Sequence, residues 1–211
     1  MTIRRGRDWG VPGALAAGAR IHRSDREASE ALQSAHDSTG VLPTEIGLLG
    51  GDLHRTLGSP DHSEEDLRSG RAMRFPVDVG VVRADGGGEL ILLSYLIGRP
   101  SRRSKIFDGE LLVIMNGSFV GQMDLGPRAH PNDGRLDVTS GAVPRGDRRA
   151  ARKRVLSGSH VPHPALEERR TAADAFDLGR DGLEIEIDGR PIGRVARLEV
   201  SCRPDALVVV V

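Results

Sequence analysis

The 211-residue sequence predicts an α+β fold, in which an α/β start gives way to a mostly β remainder built as a β-sandwich or an open barrel. Two observations carry this. Residues 19–58 run in the order strand, helix, strand, Gly-Gly turn, helix, which implies a parallel sheet. From Phe75 the period changes: Val77, Val79 and Val81 alternate with Asp78 and Gly80, and glycine turns separate further short apolar runs. The change of period divides the chain into residues 1–75, an α/β part led by an N-terminal arm, and residues 76–211, a β-sandwich part whose last strand is free to return to the first.

Residues 1–20 are rich in Gly, Ala and Arg, show no period, and read as an extended arm anchored by Trp9. A short alternation over 19–23 leads to Ser24 or Asp25, either of which caps a helix. Glu27 and Glu30 lie in its first turns, where negative charge suits the helix dipole, and Ala28, Ala31, Leu32 and Ala35 follow at helical spacing until Gly40. Residues 45–49 read as a buried strand and 53–57 as a short helix after the Gly50-Gly51 turn. Pro60 opens a surface helix over 61–74. Residues 85–88 turn a hairpin whose returning strand is 89–95. Further strands are expected over 111–115, 135–138, 176–178, 183–187, 197–201 and 206–211, with one helix over 147–155.

Composition excludes several function classes. Thirty basic and thirty acidic side chains cancel, which argues against a dedicated nucleic-acid binder. Aromatics, at 3%, are too few for a surface that stacks single-stranded nucleic acid or sugars. No apolar run approaches the ~20 residues that a membrane helix needs. Met1 to Arg5 is charged with no apolar stretch behind it, so no signal peptide is expected. Cys202, the single cysteine, has no internal partner and reads as a small buried hydrophobe, in keeping with a reducing cytoplasm.

Four segments could carry chemistry. Asn132-Asp133-Gly134 stands at the start of a strand, where the Asp133 carboxylate could take a proton from a substrate hydroxyl; the same triplet is also good turn chemistry. Gly50 and Gly51, between a strand and a helix, could let backbone amides meet a phosphate, or could simply make a tight turn. His160 and His163 lie three apart, but Pro162 breaks a regular helix and no cysteine or carboxylate sits at a zinc spacing, so metal ligands stay unassigned. Arg145, Arg148, Arg149, Arg152, Lys153 and Arg154 form a positive helix that could touch lipid or other anionic headgroups, or form a solvated face.

Taken in order, these pieces resemble a family. Ile46-Gly47-Leu48-Leu49 with residues 52–58 resembles the strand, phosphate loop and helix of bacterial diacylglycerol-kinase-type lipid kinases. Residues 77–82 resemble the strand that opens their second domain. Asn116-Gly117, Gly126 to Ala129 and Asn132 to Val138 resemble their Asn-Gly and Ala-x-x-x-Asp-Gly-x-Leu-Asp segments, and 187–189 with 204–207 their terminal Asp-Gly and Pro-x-Ala-Leu pattern. The resemblance covers residues 19–211 and is strongest after 110. It implies a diacylglycerol-kinase-like fold with a truncated nucleotide domain over 1–75 and a β-sandwich domain over 76–211. It also implies ATP and Mg as cofactors of an active member, with Asp133 as general base on the acceptor hydroxyl.

Two nucleotide loops depart from that pattern. The Gly-Gly-Asp-Gly-Thr loop falls near 21–25, where only Asp25 matches, and the second loop is shortened to Gly50-Gly51-Asp52. Arginine and serine put side chains where backbone must approach phosphate. The chain is also shorter than the pattern between Tyr95 and Leu111. Asp25, Gly50, Gly51 and Asp52 are therefore the remnant of a nucleotide site. The reading that follows is a degenerate lipid-kinase-like binding or regulatory module; the alternatives are an active ATP-dependent lipid or small-alcohol kinase, and an enzyme completed by a partner subunit. A cytoplasmic location, peripheral to the membrane, and homo-oligomer formation are compatible with each.

Strand alternation separates Asp133 from Asp137. Arg135 and Asp137 share one face while Leu136 and Val138 face the core. Asp133 is expected to line a groove facing the Gly50-Gly51 turn. Asp137 is expected to be structural, paired with a neighbour such as Arg135.

Overall fold

The computed structural model describes residues 9–211. The first eight residues of the expected arm lie outside that range. The rest of the arm includes β1 (Val11–Pro12), which pairs antiparallel with a later strand, and Trp9, whose indole N–H donates to the Pro76 carbonyl at 2.9 Å. The α/β part follows as β2 (Ile21–His22), α1 (Asp25–Thr39), β3 (Glu45–Leu48), α2 (Asp52–Thr56) and α3 (Glu64–Ser69). Ser24 caps α1 by accepting the Glu27 N–H, and Gly40, at φ 71°, ends it.

The remainder is β4 (Met73–Ala84), β5 (Glu89–Leu92), β6 (Tyr95–Arg99), β7 (Glu110–Met115), β8 (Phe119–Val120), β9 (Met123–Asp124), β10 (Leu136–Ala142), α4 (Arg148–Arg154), β11 (Leu166–Thr171), β12 (Ala173–Asp177), β13 (Leu183–Ile187), β14 (Arg190–Val195) and β15 (Arg197–Val210). Two sheets account for all but the β8–β9 hairpin. The first orders its strands β1-β4-β15-β3-β2, with β12 also on β15 and β5 on β4; the second is β11-β10-β7-β6-β13-β14. β2 and β15 both run parallel to β3, as the α/β grammar requires, whereas every pairing in the second sheet is antiparallel.

The two sheets close on a core that includes Val82, Leu96, Ile114, Leu136, Val138 and Leu198. α1 and α2 cover the parallel end of the first sheet, where Ala28, Leu32, Leu53, Val77, Val79 and Val209 pack together. Gln33 fastens α1 to the sheet: its amide donates to the Glu89 carbonyl at 2.9 Å, and its oxygen accepts the Ile91 N–H at 2.8 Å.

Several elements differ from the sequence reading. The helix expected over 61–74 is the shorter α3, because a Ser63–Asp66 capping box starts it and Gly70, at φ 85°, ends it. The single strand expected over 89–95 breaks at Leu93-Ser94, and β5 joins the first sheet while β6 joins the second. The two final strands are one, β15, with a register shift between Arg203 and Leu207 around Asp205, whose φ is 52°. β11 and β14 were not expected, since their charged, weakly alternating sequences lie at the two edges of the second sheet. Cys202 is half-buried, and burial together with the neighbouring Asp78 charge pushes its thiol up to about 12. No helix among the described residues is long and apolar enough to cross a membrane.

Candidate functional site

The two strand-to-helix turns that follow β2 and β3 lie side by side at the carboxyl ends of the parallel strands, the place where open α/β sheets bind ligands. Asp25, Gly50, Gly51 and Asp52 come together there. Asp25 opens α1, is buried, and aims its carboxylate at the start of α2. One oxygen accepts the Asp52 N–H at 2.7 Å and the Leu53 N–H at 3.0 Å. Both glycines are needed for this approach. A Cβ at Gly51, whose φ is 102°, would lie 2.3 Å from an Asp25 carboxylate oxygen, and one at Gly50 would lie 2.6 Å from the Arg23 carbonyl oxygen. The close contact is therefore between two turns of the protein itself.

Burial, then the charges of Asp188 and Asp52, push the Asp25 carboxyl up to about 7, against the opposing hydrogen bond from Leu53. Burial also raises the Asp52 carboxyl. Asp52 accepts the Gly121 N–H at 2.8 Å, and Thr56 accepts the Ser118 N–H at 3.0 Å. Arg55 donates to the Gly121 carbonyl and stacks its guanidinium 4.0 Å over the Phe119 ring. The β8–β9 hairpin is thereby clamped onto α2.

Asp188 completes the acidic cluster and was legible in the sequence only as a turn residue. It is wholly buried at the tip of the β13–β14 hairpin and accepts the N–H groups of Leu93, Ser94 and Tyr95 at 2.8, 2.8 and 2.9 Å. Its carboxyl is raised by burial. These three amides are the corner at which the chain leaves the first sheet for the second, so Asp188 pins the sandwich beside Asp25. Tyr95 donates its hydroxyl to Glu186 at 3.3 Å.

Asp133 is engaged locally. Its carboxylate accepts the Arg135 N–H at 3.0 Å, an Asx turn, and forms an ion pair with Arg170. No hydrogen bond or ion pair joins it to the Gly50-Gly51 turn among the described residues. Asp137 meets Arg170 at 3.4 Å rather than Arg135, because the two residues stand opposite each other on β10 and β11. Burial pushes the Asp137 carboxyl up to about 6, against the Arg128 charge. The residue that anchors the 130–135 turn is Asp78 on β4, which accepts the N–H groups of Gly134 and Asp205 at 2.7 and 2.9 Å. Its position inside a valine alternation gave no sign of this role.

Of the basic run on α4, Arg148 and Arg152 turn inward onto Asp108 and onto the carbonyls of Val143 and Ile106. His163 lies 3.9 Å from Asp147, while both ring nitrogens of buried His160 lack a hydrogen-bond partner. No cluster that could hold a metal ion occurs among the described residues.

A nucleotide phosphate at the start of α2 would need amides that Asp25 already occupies, beside the carboxylates of Asp52 and Asp188 and with the nearby Arg55 held on the Gly121 carbonyl and the Phe119 ring. A nucleotide phosphate therefore does not fit the first amides of α2 while Asp25 is seated on them.

The profile of the YegS C-terminal NAD kinase beta sandwich-like domain matches residues 97–211. No curated protein matches the chain. Among solved structures the fold is similar to a diacylglycerol kinase from Bacillus anthracis str. Sterne, at 16% identity and a TM-score of 0.64, over 90% of this chain and 75% of that one. A second structure from the same organism, described as a candidate diacylglycerol kinase, gives 14% identity and a TM-score of 0.66, over 90% and 76%. The profile match spans more than half of the sequence, and the chain belongs to the family of the YegS C-terminal NAD kinase beta sandwich-like domain, on a diacylglycerol-kinase-like fold.

Proposed function

We propose that this protein is a degenerate lipid-kinase-like binding or regulatory module that has lost efficient ATP-dependent phosphoryl transfer, and that it works in the cytoplasm. The observation that carries this is the Asp25 carboxylate seated on the Asp52 and Leu53 amides. Phosphoryl transfer depends on positioning the nucleotide phosphates and stabilising their charge. Preorganised donors of that kind are worth about 3–4 kcal/mol each in the transition state. Here the two amides are already taken by a group of the protein itself. An active kinase with Asp133 as general base needs a free carboxylate, whereas Asp133 is engaged by Arg170 and its own turn. Isothermal titration of the full chain with Mg-ATP tests the reading. No sub-millimolar binding is expected, and sub-millimolar binding overturns it.

A further inference from the structure

The outward face of α4 carries charge that no ion pair among the described residues neutralises. The helix turns Arg148, Ala151, Arg152 and Val155 toward the body, and Ala151 and Val155 are buried. Arg149 and Lys153 point the other way, exposed and four residues apart. Arg145 stands four residues before them. Leu156, 56% exposed, follows three residues after Lys153 in the 3₁₀ turn that extends the helix. Arg149, Lys153 and Leu156 thus follow one stripe at helical spacing, with Arg145 in the turn that precedes the helix.

Among the described residues no ion pair holds Arg145, Arg149, Lys153 or Arg154, whereas inward Arg148 and Arg152 share Asp108. The loop bound to α4 through Arg152 adds Arg103 and Lys105, which are also exposed and unpaired among the described residues. Asp147, at the start of the helix, and Glu110 are the exposed acids closest in sequence to this patch.

We propose that this face docks the protein on an anionic bilayer surface, with the cations against lipid phosphates and Leu156 entering the interface. Charge complementarity selects an anionic partner, and Leu156 selects a lipid one. A soluble polyanion offers a leucine nothing, and residues 145–157 hold no aromatic side chain on which a base could stack. Each cation near such a surface contributes about a fivefold gain in binding. Docking needs neither ATP nor the turns around Asp25, so this inference goes beyond the nucleotide question and stands or falls apart from it.

Co-sedimentation with vesicles tests it, using equal parts phosphatidylglycerol and phosphatidylcholine against phosphatidylcholine alone. The full chain should bind the anionic vesicles, lose binding at high salt, and ignore the neutral ones. Arg149→Glu with Lys153→Glu should weaken partitioning by about 30-fold or more, since two contributing cations are removed. Leu156→Ala should weaken it about fivefold, as buried methylene groups are lost. Arg68→Glu on α3 should leave it unchanged, with circular dichroism confirming that each variant folds. Failure to bind anionic vesicles, equal binding by the double variant, or duplex DNA binding that outcompetes vesicles and is indifferent to Leu156→Ala overturns the proposal.

Discussion

Asp25 accepts the backbone N–H of Asp52 at 2.7 Å, tying the first turn of α1 to the first turn of α2. The first amides of a helix have no partner within it and call for a cap or an anion. In this protein the cap comes from the neighbouring turn, 27 residues away in sequence. The anion that the first turn of α2 calls for is supplied by the protein itself.

Removing that cap should destabilise the fold. Asp25→Ala leaves the Asp52 and Leu53 amides without an acceptor, a loss of about 1–3 kcal/mol, whereas Asp25→Asn keeps an acceptor and should lose less. Gly51→Ala should lose about 2–3 kcal/mol, since its φ of 102° and its 2.3 Å approach to Asp25 both oppose a side chain. Urea midpoints decide this. A wild-type midpoint for Gly51→Ala would show that the two turns are not in contact.

Asp25 also sets a pH dependence. Its folded carboxyl stands near 7 against a usual 3.8, so the folded state holds the proton more tightly than the unfolded chain. The stability this confers is complete below about pH 3.8 and is lost as pH rises through 7. Asp25→Asn carries no such proton and should gain on the wild type between pH 4 and pH 8, each pKa unit being worth about 1.4 kcal/mol. Paired denaturation curves at those two pH values measure the difference; a constant gap would refute the assignment.

Asp188 should be among the least replaceable polar residues. Asp188→Ala strands three amides at the corner between the sheets, at 2.8 to 2.9 Å from the lost oxygens, and should cost more than about 3 kcal/mol. Asp188→Asn keeps one acceptor and should lie between the two. Hydrogen exchange at Leu93, Ser94 and Tyr95 gives the local readout, and exchange unchanged in Asp188→Ala would sink the claim.

Asp133→Asn separates structure from chemistry. The partner guanidinium of Arg170 is partly exposed, so the pair contributes at most about 1 kcal/mol, and the asparagine oxygen can still accept the Arg135 N–H. Stability should change by less than that. If the wild type hydrolyses or transfers phosphate from Mg-ATP and this variant does not, Asp133 is a catalytic base after all.

Much of this architecture is readable from period alone. The strand–helix–strand start and the Ser24 and Gly40 caps follow from local spacing, and so does the valine alternation in β4. What escapes the sequence is long-range pairing. Residues 90–95, apolar but for Ser94, read as one strand, and only the second sheet shows where the chain must bend. Asp137 finds Arg170 because β10 and β11 bring them opposite each other, a register that no spacing in either segment announces. Asp25 reads as a first-turn acid, and its partners lie beyond a whole helix and strand. Asp188 looks like any Asp-Gly turn until the corner it fastens is in place.

His160 offers a pH effect of the opposite sign. Its ring is buried against Phe107, with centroids 5.8 Å apart and both nitrogens unpartnered, and burial holds its folded pKa down to about 4 against a usual 6.5. The unfolded chain therefore binds the proton first. Above pH 6.5 neither state is charged and the full stability is present. As pH falls from 6.5 toward 4 the unfolded state gains a proton that the folded state refuses, and stability drops. His160→Leu removes both the titration and two buried polar atoms with no partners, a change of the kind that is neutral or stabilising. It should match or exceed the wild type at pH 8 and exceed it further at pH 5. Because Asp25 and Asp137 bias the wild type the other way over much of this range, the variant-minus-wild-type difference is the quantity to measure. A difference that stays flat between pH 5 and pH 8 would mean that His160 keeps its ordinary proton affinity in the folded protein.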